Sequence, residues 1–130
     1  MKDESGRDSV LVIDDNADFR ELIAMIGQLY GVRVLEAADC RKGLKVITQE
    51  HGRIKLVFLD YFMPGMDPGP CAQAIVAKVG PLVPVVLVTA APDPSNRASE
   101  LQITRWVSKP VDPSILTEMM TDDAAPRGRR

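Results

Sequence analysis

Five short apolar runs punctuate the chain, and four of them stop at, or one residue before, a side chain that can bind a cation or a phosphoryl oxygen. Ser9-Val10-Leu11-Val12-Ile13 is continuous, partly β-branched, and breaks off at Asp14-Asp15-Asn16, as a strand buried on both faces does. Ile54 to Leu59 ends at Asp60, Pro84 to Val88 ends at Thr89, and Arg105 to Ser108 is terminated by Lys109-Pro110. The remaining run, Val32 to Ala37, supplies the second strand in chain order.

Helical periodicity fills the intervals. Phe19, Leu22, Ile23, Ile26 and Tyr30 recur on one face between a capping Asn16 and a stop at Gly31. Asp39 to about Glu50 reads as a second helix with Cys40, Leu44 and Ile47 on one side, although Gly43 lowers its intrinsic propensity. Met63 to Pro70 reads as a loop, followed by a third helix from Cys71 to Val79. Pro92 and Pro94 delay the fourth helix to about Ser95 and leave it short, and Asp112-Pro113 opens a fifth that runs to about Met120. Strands alternating with helices predict an α/β domain with a parallel sheet covered on both faces. The expected division is an N-terminal extension over residues 1–8, one domain over 9–120 and a flexible tail over 121–130.

Charge and cysteine usage narrow the function. Sixteen Lys and Arg face eighteen Asp and Glu, so there is no broad basic field for direct nucleic-acid or membrane binding. The longest apolar stretch, Leu82 to Ala91, is interrupted by Pro84 and is too short to cross a bilayer. The first residues lack an apolar signal segment, which places the chain in the cytoplasm by expectation. Cys40 and Cys71 are far apart and lack Cys-x-x-Cys spacing, so two reduced, structural thiols are expected. His51 has no partner for metal binding and is expected on the surface. The arginines of the tail are offset by Asp122 and Asp123, and Met119 and Met120 finish the fifth helix.

In an open parallel α/β sheet, ligands bind beyond the carboxyl ends of the strands. That edge collects Asp14, Asp15, Asp60, Thr89 and Lys109. Three carboxylates so close must either take up protons or hold a hard cation such as Mg²⁺. A hydroxyl and an ammonium opposite them suit the oxygens of a phosphoryl group, with Asp60 as the central nucleophile. Each residue also has an ordinary use: an acid after a strand caps the next helix, and a lysine or threonine ends a strand. The four strand ends taken together favour the site.

These residues resemble the receiver domain of two-component response regulators. The resemblance is carried by Val12-Ile13-Asp14-Asp15-Asn16, Leu59-Asp60-Tyr61-Phe62-Met63-Pro64-Gly65-Met66-Asp67, Val88-Thr89-Ala90 and Ser108-Lys109-Pro110. It implies a flavodoxin-like, doubly wound five-stranded sheet in the order 2-1-3-4-5, with a short or irregular fourth helix. It further implies that Asp60 accepts a phosphoryl group from a sensor histidine kinase or a histidine phosphotransfer protein. Mg²⁺ would be held by Asp15, Asp60 and the backbone carbonyl of Phe62, with Asp14 acting through water. Lys109, ahead of a cis Lys109-Pro110 bond, would pair with the phosphoryl group, and Thr89 would swing inward onto one of its oxygens. Where the family places a switching aromatic, this chain has Trp106, which either fills that role or stays outward on a binding face. A phosphorylated domain would then signal to an unknown downstream protein target and, apart from its own phosphorylation and slow dephosphorylation, would not be an enzyme.

Departures from the family pattern add expectations. Met66-Asp67-Pro68-Gly69-Pro70 requires a rebuilt turn in which Gly69 supplies the permissive residue. The segment from Thr89 to Lys109 is about two residues shorter than usual. Phe62 and Ala91 occupy the positions that govern attack by water, and neither helps water by hydrogen bonding, so self-dephosphorylation should be slow. The arrangement suits a stand-alone regulator, with a receiver cut from a longer protein as the variant. Two other readings compete: a pseudo-receiver that binds partners without phosphorylation, and a small Mg²⁺-dependent aspartyl-phosphate phosphatase. The latter would place its acids as Asp-x-Asp after the first strand, unlike this chain.

Overall fold

A computed structural model describes residues 6–121 apart from 51, 64 and 66. The expectations for residues 1–5, for His51 and for the tail from residue 122 lie outside the described residues. Five strands, β1 (Ser9–Ile13), β2 (Arg33–Ala37), β3 (Ile54–Asp60), β4 (Val85–Thr89) and β5 (Arg105–Ser108), form one parallel sheet in the order 2-1-3-4-5. Five helices connect and follow them: α1 (Ala17–Tyr30), α2 (Cys40–Gln49), α3 (Pro68–Val79), α4 (Pro94–Glu100) and α5 (Pro113–Thr121). The expected flavodoxin-like, doubly wound architecture is the observed one.

The period of two in the strands divides the apolar side chains between two layers. Leu11, Ile13, Val57, Leu59 and Leu87 pack with Cys40, Ile47, Ala72, Ile75 and Ala98 of α2, α3 and α4. Val10, Val12, Leu56, Phe58, Val86 and Val88 face the other way onto Ile23 and Ile26 of α1 and Leu116 and Met120 of α5. The central strands are therefore apolar on both faces, which is why they read as unbroken runs. Each fully buried Leu, Ile or Phe adds roughly 1.5–3 kcal/mol relative to exposure.

The helix ends follow from local chemistry. Asn16 accepts the Phe19 N–H at 3.1 Å, and Gly31, at φ 75°, closes α1. Asp39 accepts the Lys42 N–H at 2.8 Å and starts α2. Gly43, which weakened that helix on propensity, is needed for packing: a Cβ there would lie 2.5 Å from Cδ1 of Ile13, so the glycine lets α2 settle onto β1. Asp112 accepts the Ser114 N–H at 2.9 Å ahead of α5, whose last residue is Thr121.

Three expectations are corrected. α3 starts at Pro68, so Pro68-Gly69-Pro70 forms its first turn instead of a loop; a proline there gives up an N–H that has no intrahelical acceptor anyway. The permissive glycine of the preceding turn is Gly65, at φ 96°, and not Gly69. The two cysteines are joined: Cys40 and Cys71 form a disulfide with their Cα atoms 6.1 Å apart. Their 31-residue separation hides a proximity that the crossover topology creates, because α2 and α3 lie side by side on one face of the sheet.

The closed loop predicts the size of the disulfide's contribution. Denaturation in urea with and without reductant should show the reduced protein less stable by about 3–4 kcal/mol, the chain-entropy value for a loop of this length.

Candidate functional site

The parallel sheet sends all of its strand carboxyl ends to one edge, and the residues singled out from the sequence converge there. Asp14 follows β1 and is 1% exposed, Asp60 ends β3 and is buried, and Asp15 stands in solvent beside them. One carboxylate oxygen from each lies within 4.8 Å of the others. Lys109, following β5, closes the group: Nζ donates to Asp14 Oδ2 at 2.8 Å and stands 3.8 Å from Asp60 Oδ1.

Asp14 is the most fully engaged of the acids. Its Oδ1 accepts the Asn16 N–H at 2.9 Å while Oδ2 takes the ammonium, so both oxygens are occupied. Arg20, a little over one turn into α1, donates to the Asp14 carbonyl at 2.8 Å and to Glu36 at 3.3 Å, fastening the acid-bearing turn to α1 and β2. Asp60 has no such relief. Burial, then the negative charge of Asp14, pushes its carboxyl up to about 7, against the pull of Lys109. A proton or a divalent cation would relieve that repulsion. Three hard oxygen donors in this space fit Mg²⁺, with Asp60 and the solvent-facing Asp15 open to it and Asp14 already committed to Lys109.

Thr89 is fully buried, and its Oγ1 accepts the Ala91 N–H at 3.0 Å, so the hydroxyl is turned toward its own loop. The backbone N–H of Lys109 donates to the Thr89 carbonyl at 2.9 Å, and the Lys109-Pro110 bond is cis as expected. Phe62 is 58% exposed on the loop after Asp60, where Asp15, Tyr61, Met63, Gly65, Asp67 and Pro68 line an open cleft with it. Trp106 on β5 is 41% exposed.

Contacts not anticipated from the sequence complete the surroundings. The Phe19 ring of α1 lies 5.0 Å from Lys109 Nζ, a cation–π contact that supports the ammonium. Arg97 of α4 grips Asp93 through two contacts of 3.1 and 3.0 Å, and reaches the Tyr61 hydroxyl at 3.4 Å and its ring at 5.8 Å. α4 is thereby pinned to the residue that follows Asp60. The only forewarning was Arg97's position four residues after Asp93, which suits an ion pair within one helical turn.

The chain matches the family described as "Response regulator receiver domain" over residues 10–121. It is 31% identical over 112 residues to a protein of Porphyridium aerugineum named as a transcriptional regulator, ycf27, with 85% of this chain and 45% of that one covered. The chain spans less than half the length of the curated relatives it matches. Among solved structures, the chemotaxis protein CheY4 of Vibrio cholerae shares the fold at a TM-score of 0.74 and 23% identity, covering 88% of this chain and 96% of that one. The receiver domain of the response regulator Ssk1 of Saccharomyces cerevisiae, in complex with the histidine phosphotransfer protein Ypd1, shares it at 0.71 and 18%, with 92% and 90% covered. Among the described residues no helix is long and apolar enough to cross a membrane.

The raised Asp60 carboxyl sets a pH dependence. Without divalent cations the folded protein holds a proton there that the unfolded chain, titrating near 3.8, has lost. Stability should fall as pH rises from roughly 4 through 7. Asp60→Asn should flatten that slope and be more stable than the wild type at pH 8 by about 1–3 kcal/mol, as urea denaturation at several pH values will show.

Proposed function

The chain belongs to the response regulator receiver domain family, and on that footing we propose that it accepts a phosphoryl group on Asp60 and passes the signal on by protein contact. The observation that carries this reading is the ammonium of Lys109 between two buried acids, 2.8 Å from Asp14 and 3.8 Å from Asp60. The Asp60 carboxylate attacks phosphorus in line as the phosphohistidine N–P bond breaks, giving an aspartyl phosphate. The donor is a sensor histidine kinase or a histidine phosphotransfer protein; the Ypd1–Ssk1 complex supports the second. Residues 10–121 act as a phospho-acceptor module, not as a turnover enzyme.

Receiver domains bind Mg²⁺ at an acidic pocket, and here Asp15, Asp60 and the Phe62 carbonyl would hold it, with Asp14 contributing through water. When bound, the ion neutralises charge on the transferring oxygens and keeps Asp60 ionised. The protein's own groups do the rest. Lys109 is drawn from Asp14 toward a phosphoryl oxygen, with the Phe19 ring limiting its retreat. Thr89 exchanges the Ala91 N–H, which it now accepts, for a phosphoryl oxygen to which it donates. That exchange reorganises the β4–α4 loop, and Trp106, next to Thr89's strand at the Leu87 register, carries the change to the surface of α4, β5 and α5. The half-exposed indole meets the downstream protein directly.

Two outcomes test the reading. Intact mass after incubation with Mg²⁺ and acetyl phosphate should show a single phosphoryl adduct that is lost in Asp60→Asn, lost without Mg²⁺, and at least about tenfold slower to form in Lys109→Ala. Phe62 and Ala91 flank the acceptor without a group to orient water, so replacing Phe62 by Asn or Glu should shorten the adduct's lifetime by about tenfold or more.

A further inference from the structure

Cys40 and Cys71 stand at the starts of α2 and α3, and Pro68, the first residue of α3, lines the cleft that Asp15 and Phe62 share. Cys40 is the first residue of α2, directly after its Asp39 cap, and Cys71 completes the first turn of α3. The bond between them closes a loop that contains α2, β3, Asp60 and the whole β3–α3 turn.

The start of α3 is held by the burial of Cys71 and Ala72 and by the Cys71 N–H donated to the Asp67 carbonyl at 3.2 Å, without a side-chain cap. Asp67 sits at the cap position but makes no side-chain hydrogen bond to the helix, and the prolines at 68 and 70 bring no N–H. The cleft wall built from Phe62, Met63, Gly65, Asp67 and Pro68 runs directly into this uncapped turn. The sulfur bridge ties that first turn covalently to the start of α2.

We propose that Cys40 and Cys71 form a redox-responsive clasp on the β3–α3 loop, with a low-molecular-weight disulfide as its oxidant. Resting on the reading of Asp60 as acceptor, the clasp sets how firmly the Phe62 carbonyl is presented and so the Mg²⁺ affinity of the site. One thiolate attacks the small disulfide, forming a mixed disulfide and releasing one small thiol. The second cysteine then displaces the other small thiol and closes the protein bond. Two protein thiols are oxidised, one small disulfide is reduced to two thiols, and the two protein protons end on those products. Both sulfurs belong to residues that are 3% exposed, so exchange proceeds when the first turn of α3 opens. The clasp thereby reads the redox poise of its surroundings at the speed of that opening.

The test sets the full chain in oxidised and in reduced glutathione and follows four readouts. Mass after alkylation counts free thiols, hydrogen exchange follows residues 61–71, calorimetry gives the affinity for Mg²⁺ alone, and acetyl phosphate at subsaturating Mg²⁺ gives the adduct rate. The oxidised form should protect the loop, bind Mg²⁺ about tenfold more tightly and form adduct correspondingly faster. Cys40→Ala and Cys71→Ala, made singly, should match the reduced wild type and ignore glutathione. The reduced wild type needs no substitution, so a variant that fails to fold leaves the comparison intact. Thiols that stay free in oxidised glutathione, or loop protection and Mg²⁺ affinity that do not change between the two forms, would overturn the clasp. If Mg²⁺ affinity follows the redox state but neither form takes up phosphate, the clasp stands and the reading of Asp60 as acceptor falls.

Discussion

Repulsion among Asp14, Asp15 and Asp60 is the constraint around which the rest of the molecule is arranged. Burial and the charge of Asp14 raise the proton affinity of Asp60, and only a fold that stabilises itself elsewhere can keep the three acids together. The two apolar layers supply that stability, and Lys109 supplies the local counter-charge from the far end of the chain. An ion pair this buried costs desolvation, so its value is less in net stability than in holding β1, β3 and β5 in one register at the site. Phe19 and Arg20, neighbours on α1, both support that arrangement: one supports the ammonium, the other fastens the acid-bearing turn.

Much of this was legible in the sequence, for a physical reason. Strands buried on both faces disfavour polar residues, so Val10–Ile13, Leu56–Leu59 and Val85–Val88 appear as apolar runs whose ends mark the candidate site. Asp14, Asp15, Asp60, Thr89 and Lys109 were found by position alone, as the residues at which those runs stop. The strand order was not readable that way and came from family resemblance. Trp106 could be placed at the right strand but not on the right side, since its orientation depends on what packs beside β5.

What stayed hidden depends on contacts between elements distant in sequence. The disulfide requires knowing that α2 and α3 share a face of the sheet, and the Phe19–Lys109 contact joins the first helix to the last strand's end. Arg97 and Tyr61 meet across 36 residues of chain, joining α4 to the residue that follows β3. Pro68-Gly69-Pro70 misled in a different manner. Its composition favours a turn, yet the first turn of a helix asks for few N–H donors, so the same residues serve at the start of α3.

The sheet also acts as a partition. Leu11 and Val12 are adjacent in the chain, yet one belongs to the layer under α2, α3 and α4 and the other to the layer under α1 and α5. Side chains on opposite faces share no packing neighbours except through the backbone between them, so volume changes in one layer leave the other's jigsaw undisturbed. The molecule can therefore alter the helical face around its disulfide and the face around its ammonium as two separate surfaces. β1, β3 and β4 are common to both layers, and β3 ends in Asp60. Two histories of substitution can proceed side by side on a domain this small, meeting in the three central strands.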